Sequence, residues 1–331
     1  MQMRRYLLTI LGFVIAVASG LPAADGDGGY AGAFMQVPIG ARPTAMGGAY
    51  LSISDDGAGA LYNPAGVATL KQPLLATAYR LMNLDRSLGY AAVVFPTKGN
   101  SALGLLWRYA GSGSVVARDH DGNPLENELS QENHDFSIVF AKRFEHFLSV
   151  GVKMYYLHSS FAQMKASSVG FDMGLVLYMD RLLFSRESTA RRPVKDMRVG
   201  LVLKHLQAKY IWNNKDYVGR YIAGGGMGSE QEDPIPLEYG IGVSGRLLER
   251  RLVLASDLIM TSEQGAALHA GLEYYVKPIL AVRGGFSDGR LVTGGGYVFK
   301  LGSRALAIDY AFSTDRADEG SEHIFSFDFL F

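Results

Sequence analysis

The eight residues Ile324 to Phe331 carry a phenylalanine at every second position, Phe325, Phe327, Phe329 and Phe331, with Ser326 and Asp328 between them. Extended backbone turns alternate side chains to opposite faces, so the four rings share one side and the polar groups occupy the other. Water is a poor neighbour for such a strand, because an exposed aromatic edge recruits other chains. A bilayer is a good one, provided that the strand belongs to a closed barrel whose first strand covers its free edge. The octet therefore points to an all-β fold, a transmembrane barrel with its aromatic face on lipid.

The other end of the chain agrees. Arg4 and Arg5 precede the apolar run Leu7 to Ala18, and small residues follow up to Pro22-Ala23-Ala24. This is the pattern of a secretory signal peptide over residues 1–24, with cleavage expected near Ala24. The run is too short for a membrane helix, which needs about 20 apolar residues. No other stretch of the sequence is a candidate helical span, so a membrane-resident chain must cross with strands. The sequence contains no cysteine, which excludes a lipid-modified N-terminal cysteine, disulfides and metal–thiolate chemistry.

Composition fits the same class. The 32 basic and 32 acidic residues cancel, and mean hydropathy is only +0.07, so neither nucleic acid nor a strongly charged partner is indicated. Lipid-facing and lumen-facing residues average out along a barrel strand, which keeps such hydropathy unremarkable.

Period-2 alternation bounded by turn residues marks about fourteen strands, the first near 74–82 and the last near 322–331. Leu148, Val150, Val152, Met154 and Tyr156 alternate with Ser149, Gly151, Lys153 and Tyr155. Leu268, Ala270, Leu272 and Tyr274 alternate with His269, Gly271 and Glu273. An even count is the rule for single-chain bacterial barrels and brings both ends of the barrel to the periplasmic side. The longest connections, 111–134 and 207–236, then fall outside the cell and most short turns fall inside, with 181–194 the exception. A fourteen-strand barrel is wide enough to leave an open lumen unless something occupies it. Residues 25–73, irregular and Gly-rich, are the expected hatch or plug, and 74–331 the barrel.

That pre-strand region reads Gly40-Ala41-Arg42-Pro43-Thr44-Ala45-Met46-Gly47-Gly48-Ala49-Tyr50, then Asp55-Asp56, then Tyr62-Asn63-Pro64-Ala65-Gly66. Gly47 and Gly48 suit close backbone approach and unusual dihedrals. Asn63-Pro64 suits turn initiation, with proline setting φ and asparagine capping the backbone ahead of it. Arg42 and the Asp55-Asp56 pair are expected to meet lumen charges such as Arg108, Lys153, Asp172 or Glu273. The GAR-x-x-x-MGGA stretch, the acidic pair and Y-N-P-A-G, in this order, resemble the PorV/PorQ branch of the FadL-like outer-membrane superfamily. The resemblance implies a fourteen-strand barrel with Arg42, Gly47, Gly48, Asp55, Asp56, Asn63 and Pro64 in a luminal hatch. It further implies a non-enzymatic accessory or shuttle role in type IX-like protein secretion, exercised through extracellular loops on a translocon or its cargo. The alternative within the superfamily is passive, hatch-gated diffusion of a small hydrophobic compound, released sideways into the bilayer.

Other chemistry is poorly represented. Gly240-Ile241-Gly242-Val243-Ser244-Gly245 matches G-x-G-x-x-G but lies inside an alternating strand with no helix after it. The seven histidines have no metal-ligand spacing, and no G-x-S-x-G occurs, so no catalytic, cofactor or metal site is expected. Tyr210, Trp212, Tyr217 and Tyr221 in the second long loop suit either protein contact or the interfacial aromatic girdle. Phe327, Phe329 and Phe331 resemble the terminal signal read by the outer-membrane barrel-assembly machinery. The stretch 181–195 is basic and suits solvent or anionic headgroups.

Overall fold

Strands dominate because apolar and polar or small residues alternate over most of the chain after residue 73, and each strand can turn one set outward and the other inward. The computed structural model describes residues 30–118, 121–161, 164–183, 192–213, 230–263, 265–287, 289–314 and 320–331. The expected signal peptide, Tyr217 and Tyr221 lie outside these residues. Fourteen antiparallel strands form the wall. They are β1 (Leu74–Leu81), β2 (Ser87–Thr97), β3 (Ser101–Gly111), β4 (Gln131–Phe144), β5 (Leu148–Phe161), β6 (Met164–Tyr178) and β7 (Lys195–Leu206). The second half comprises β8 (Glu238–Leu247), β9 (Leu252–Thr261), β10 (Ala266–Lys277), β11 (Leu280–Ser287), β12 (Arg290–Leu301), β13 (Arg304–Thr314) and β14 (Ser321–Leu330).

Each strand pairs with its neighbours in sequence, and β1 pairs with β14 from Leu74↔Leu330 to Leu81↔His323, which closes the ring. The seam is extended by the Phe331 N–H, which donates to the Pro73 carbonyl at 3.1 Å. Phe325, Phe327 and Phe331 are exposed on the outer surface, whereas Ser326 and Asp328 are buried on the inner one. Leu75, Leu105, Trp107, Phe136, Phe140 and Met173 continue the outer apolar belt around the first half of the wall. A large apolar surface of this kind is a hydrocarbon-facing surface. No helix among the described residues is long and apolar enough to cross a membrane.

Two features were not expected from the alternation. Both long outer connections carry hairpins: Val115–Arg118 with Pro124–Leu129, and Lys209–Asn213 with Glu230–Pro234. The second hairpin docks onto β6 through Ile211↔Ser167 and Asn213↔Lys165, where β7 no longer covers that strand. The changeover follows a register shift between Phe171 and Met173 of β6, opposite Leu206 and Leu203. His205 and Gln207 take positive φ there, 65° and 58°, and so turn the chain away from the wall.

Ahead of β1, the chain forms short elements only: 3₁₀ turns at Ala33–Gln36 and Pro64–Thr69, α1 (Ala41–Ala45) and α2 (Gly59–Tyr62). Most of residues 39–68 are buried, partly against one another, as where the Tyr50 and Tyr62 rings meet edge-on at 5.4 Å. Their other partners are the inward side chains and backbone of the wall.

Candidate functional site

The inward positions of the wall are polar or small, and many of the polar ones meet as ion pairs. Lys153–Asp172, Arg108–Asp135 and Lys204–Glu238 each close at 2.7 Å, and Arg80 pairs with Glu322. Neighbouring strands supply the two partners in each case, so register alone brings them together. Buried charges persist only when paired in this way. Asp172 and Lys153, expected as docking points for the N-terminal segment, are thus committed to each other. Arg108 does reach the segment, donating to the Met35 carbonyl at 3.2 Å while its guanidinium lies over the Phe34 ring.

Arg42 is the centre of the contact between segment and wall. Its Nε and Nη2 donate to the two oxygens of Glu273 at 2.9 and 3.0 Å, a two-point fork that a lysine could not reproduce. Nη1 donates to the Tyr50 hydroxyl at 2.7 Å and to Asp55 at 2.8 Å, with Asp56 at 3.4 Å. Glu273 is held from the other side by Arg283, at 2.8 Å, and Arg283 by Asp309, at 2.5 Å. Asp55 is held also by Arg198 at 3.3 Å. An alternating chain of charges therefore runs from β7 through the segment to β13. Of the four lumen charges expected to receive Arg42 or the acidic pair, Glu273 is the one that does.

The two neighbouring aspartates differ in character. Burial opposes ionisation of Asp55, but Arg42 and then Arg198 outweigh it and hold the carboxyl below the usual range. Burial likewise raises Asp56, and the charge of Asp55 adds to the shift; Arg42 and the Tyr50 hydroxyl only partly offset them.

The rest of the segment is pinned through its backbone. Asp257 accepts the N–H groups of Tyr50 and Leu51 at 2.5 and 2.8 Å, Asp328 accepts that of Gly57 at 3.2 Å, and Ser326 accepts that of Ala41 at 2.6 Å. The Gly47 carbonyl lies 2.8 Å from His269 Nδ1. Gly47 has φ +67°, and a Cβ there would lie 2.5 Å from the Phe286 carbonyl oxygen, so glycine is required on both counts. Gly48, at φ +81°, completes the turn. Asn63 caps the turn that Pro64 opens: its Oδ1 accepts the Ala65 N–H at 3.0 Å, while Nδ2 donates to the Leu51 and Leu175 carbonyls at 2.7 and 3.2 Å. The wall is cut to match. A Cβ on Gly151, Gly200, Gly271 or Gly285 would lie 2.2 to 2.3 Å from backbone atoms of Pro64, Leu51, Met46 or Gly47.

Toward the extracellular end, segment and wall leave a chamber of about 100 Å³ between them. Val37, Pro38, Ile39 and Leu61 face Ile259 and Ala267 across it, and Arg108, Lys204, Glu238 and His269 supply the polar part of its lining. Mostly apolar walls with a few polar groups are the usual make-up of a small-molecule site. Of the aromatic residues expected to contact a partner, Tyr210 is buried and packs against Trp212 at a centroid distance of 5.6 Å. Phe329 stacks on Phe331 at 5.8 Å along the barrel seam, and Phe327 faces outward. Tyr50, Arg198, Asp257, Arg283, Asp309 and Asp328 belong to the site and carry no local sequence motif that marks them.

A closed fourteen-strand barrel with an apolar belt and a charged, occupied lumen is an integral protein of the bacterial outer membrane. No protein-family model and no curated protein matches this chain by sequence. Among solved structures, it is similar to the CymD monoaromatic hydrocarbon channel, with a TM-score of 0.59, 13% identity and coverage of 89% of this chain and 98% of that one. It is also similar to the Ralstonia pickettii toluene transporter TbuX (TM-score 0.57, 12% identity, 88% and 98% covered). A Pseudomonas aeruginosa FadL homologue matches with a TM-score of 0.55 at 12% identity, over 89% and 98% of the two chains. What is shared at these identities is the barrel architecture; the first of these neighbours is a channel and the second a transporter. They do not single out the PorV/PorQ branch.

Proposed function

We propose that the chain is a passive channel for small hydrophobic compounds, with residues 25–73 acting as its hatch. The observation that carries this reading is the chamber between Ile39, Leu61 and the β9–β10 wall. A dry cavity of about 150 Å³ accommodates benzene. The chamber, at about 100 Å³, is smaller than that, so with the hatch in place it offers room for part of one small ring or a short chain, not for an extended lipid. Below it the lumen is filled by Met46, Tyr50, Leu51 and Ile53, all buried. Passage then requires the hatch to shift, and the Arg42–Glu273 contact, with Asp55 and Asp56 beside it, is the proposed gate, while Asn63 and Pro64 anchor the segment against β5 and β6. The hydrocarbon channels with this fold support the reading. The secretion-accessory role implied by the N-terminal motif receives no support from them, and it would act through the outer loops instead.

The test is uptake of radiolabelled toluene by outer-membrane vesicles carrying the barrel, against vesicles without it. Ala267 lies on the chamber side of β10, and Ala267→Trp fills the space. Faster uptake with the barrel and a return to background with Ala267→Trp is expected. Equal uptake by loaded and empty vesicles would sink the proposal.

A further inference from the structure

Arg181, of the basic stretch 181–195, lies at the periplasmic end of the lumen; residues 184–191 are outside the described residues. A cavity of about 320 Å³ opens there, and four cations from separate elements line it. Lys71 precedes β1, Arg143 is the penultimate residue of β4, before Phe144, Arg181 lies in α3 (Met179–Leu183), and Arg198 is the fourth residue of β7. The three carboxylates that also line it are engaged. Asp55 is held by Arg42 at 2.8 Å and Arg198 at 3.3 Å, and Asp196 by Arg250 at 2.9 Å. Asp180 Oδ2 accepts the Asp196 N–H at 2.5 Å.

Two of the cations are held in place by an aromatic ring. The guanidinium carbons of Arg143 and Arg198 lie 4.0 and 5.6 Å from the centroid of Tyr178. Tyr178 is itself fixed through its hydroxyl, 3.2 Å from Ser149 Oγ. Stacked guanidinium groups are oriented forks that lose little freedom on binding an oxyanion. Arg143 contacts one carbonyl oxygen, that of His146 at 3.3 Å, and its Nε is buried with no partner among the described residues. Asp180 Oδ1 is buried and unpartnered in the same way. Both atoms are closed off from solvent, so the donors open to an occupant are the remaining N–H groups of Arg143 together with Arg181, Arg198 and Lys71.

We propose that this cavity is a binding site for a phosphate group. The phosphate oxygens accept from Arg143, Arg181, Arg198 and Lys71. Three or more cations approaching from different elements suit the several oxygens of a phosphate better than the two of a carboxylate. Both hydrogen phosphate and the headgroup of phosphatidylglycerol have this chemistry. The inference concerns the opposite end of the lumen from the chamber and does not depend on what the chamber passes.

The mature chain, folded in a neutral maltoside detergent, is titrated with inorganic phosphate by calorimetry. In parallel, retention of phosphatidylglycerol against phosphatidylcholine is read by native mass spectrometry. Saturable one-to-one binding of phosphate alone identifies free phosphate as the source. Selective retention of phosphatidylglycerol alone identifies the headgroup, and both together identify the shared group. Arg143→Gln with Arg181→Gln is expected to weaken the binding by about tenfold or more, the scale of losing charged hydrogen bonds. Heat-modifiable migration verifies folding of this variant. Lys71→Gln with Arg181→Gln, at two exposed positions, provides the same test should the first variant not fold. Binding of neither phosphate nor phosphatidylglycerol, equal retention of phosphatidylcholine, or unchanged affinity in the variants overturns the proposal.

Discussion

Replacing Arg42 by methionine keeps the side-chain bulk and deletes the charge that joins the N-terminal segment to β10. Glu273 would lose two donors at 2.9 and 3.0 Å, and Asp55 and Tyr50 would lose donors at 2.8 and 2.7 Å. Breaking a buried ion pair from one side costs about 3–5 kcal/mol, because the remaining charge stays buried without its partner. Here the remaining charges are not deserted: Arg283 stays 2.8 Å from Glu273, and Arg198 stays 3.3 Å from Asp55. The lower end of that range, about 3 kcal/mol, is the appropriate figure. Local opening of the segment should then become about a hundredfold more populated, since each 1.4 kcal/mol is a factor of about ten. Hydrogen exchange in detergent reads this directly. Amides of residues 41–67 should exchange about a hundredfold faster, while those of the wall strands keep their protection. Arg42→Lys should fall between, because one ammonium cannot span both oxygens of Glu273. Unchanged protection of 41–67 in Arg42→Met would refute the view that this contact holds the segment in place.

Two further outcomes follow from the same geometry. Ionised Asp55 stabilises the docked segment above the ordinary carboxylate pKa of about 3.9 and loses that contribution as pH falls through its depressed value. Asp55→Asn should therefore cost about 2 kcal/mol of segment protection at pH 7, with the penalty shrinking below about pH 4. Asp56, raised by burial, stabilises most when protonated, at low pH, and loses that contribution as pH rises through its raised value, so Asp56→Asn should leave protection at pH 7 equal or higher. Exchange of 41–67 at both pH values checks the pair, and similar losses at pH 7 would contradict it. Deleting Phe331 removes the hydrogen bond to Pro73 and the ring stacked on Phe329 at the β1–β14 seam. Less folded barrel should then be recovered from outer-membrane fractions, and undiminished heat-modifiable yield would count against a role in assembly.

The wall was largely legible because its signal is local. Alternation in Leu148–Tyr156 or Ile324–Phe331 needs no knowledge of any other strand. Fourteen such runs and their connection lengths were enough to imply closure and orientation. The outer hairpins were not legible, since Lys209–Asn213 is short and its pairing with β6 depends on a register break at His205. The short helices of the segment, four to six residues long, are too brief for a period of 3.6 to appear. Within the site, Arg42, Asn63 and the glycines stood out because of their motif. Glu273 was one of four lumen charges that looked equally available. Asp257, Arg283 and Asp328 did not stand out, because an inward polar residue reads the same whether it meets water or a buried partner. Only the three-dimensional path of the segment distinguishes those cases.

That path is also inscribed in what the wall lacks. Gly151, Gly200, Gly271 and Gly285 lie on four strands, and each withholds a side chain where one particular stretch of main chain passes. Followed around the ring, the gaps form an imprint of a single guest. A barrel shaped in this way cannot exchange its filling for a foreign one, because a substitute segment would meet hollows in the wrong places and side chains where it needed hollows. Divergence is constrained accordingly: a change in the route of residues 46–65 has to be answered by new small residues on several distant strands at once. Host and guest must therefore drift together or not at all.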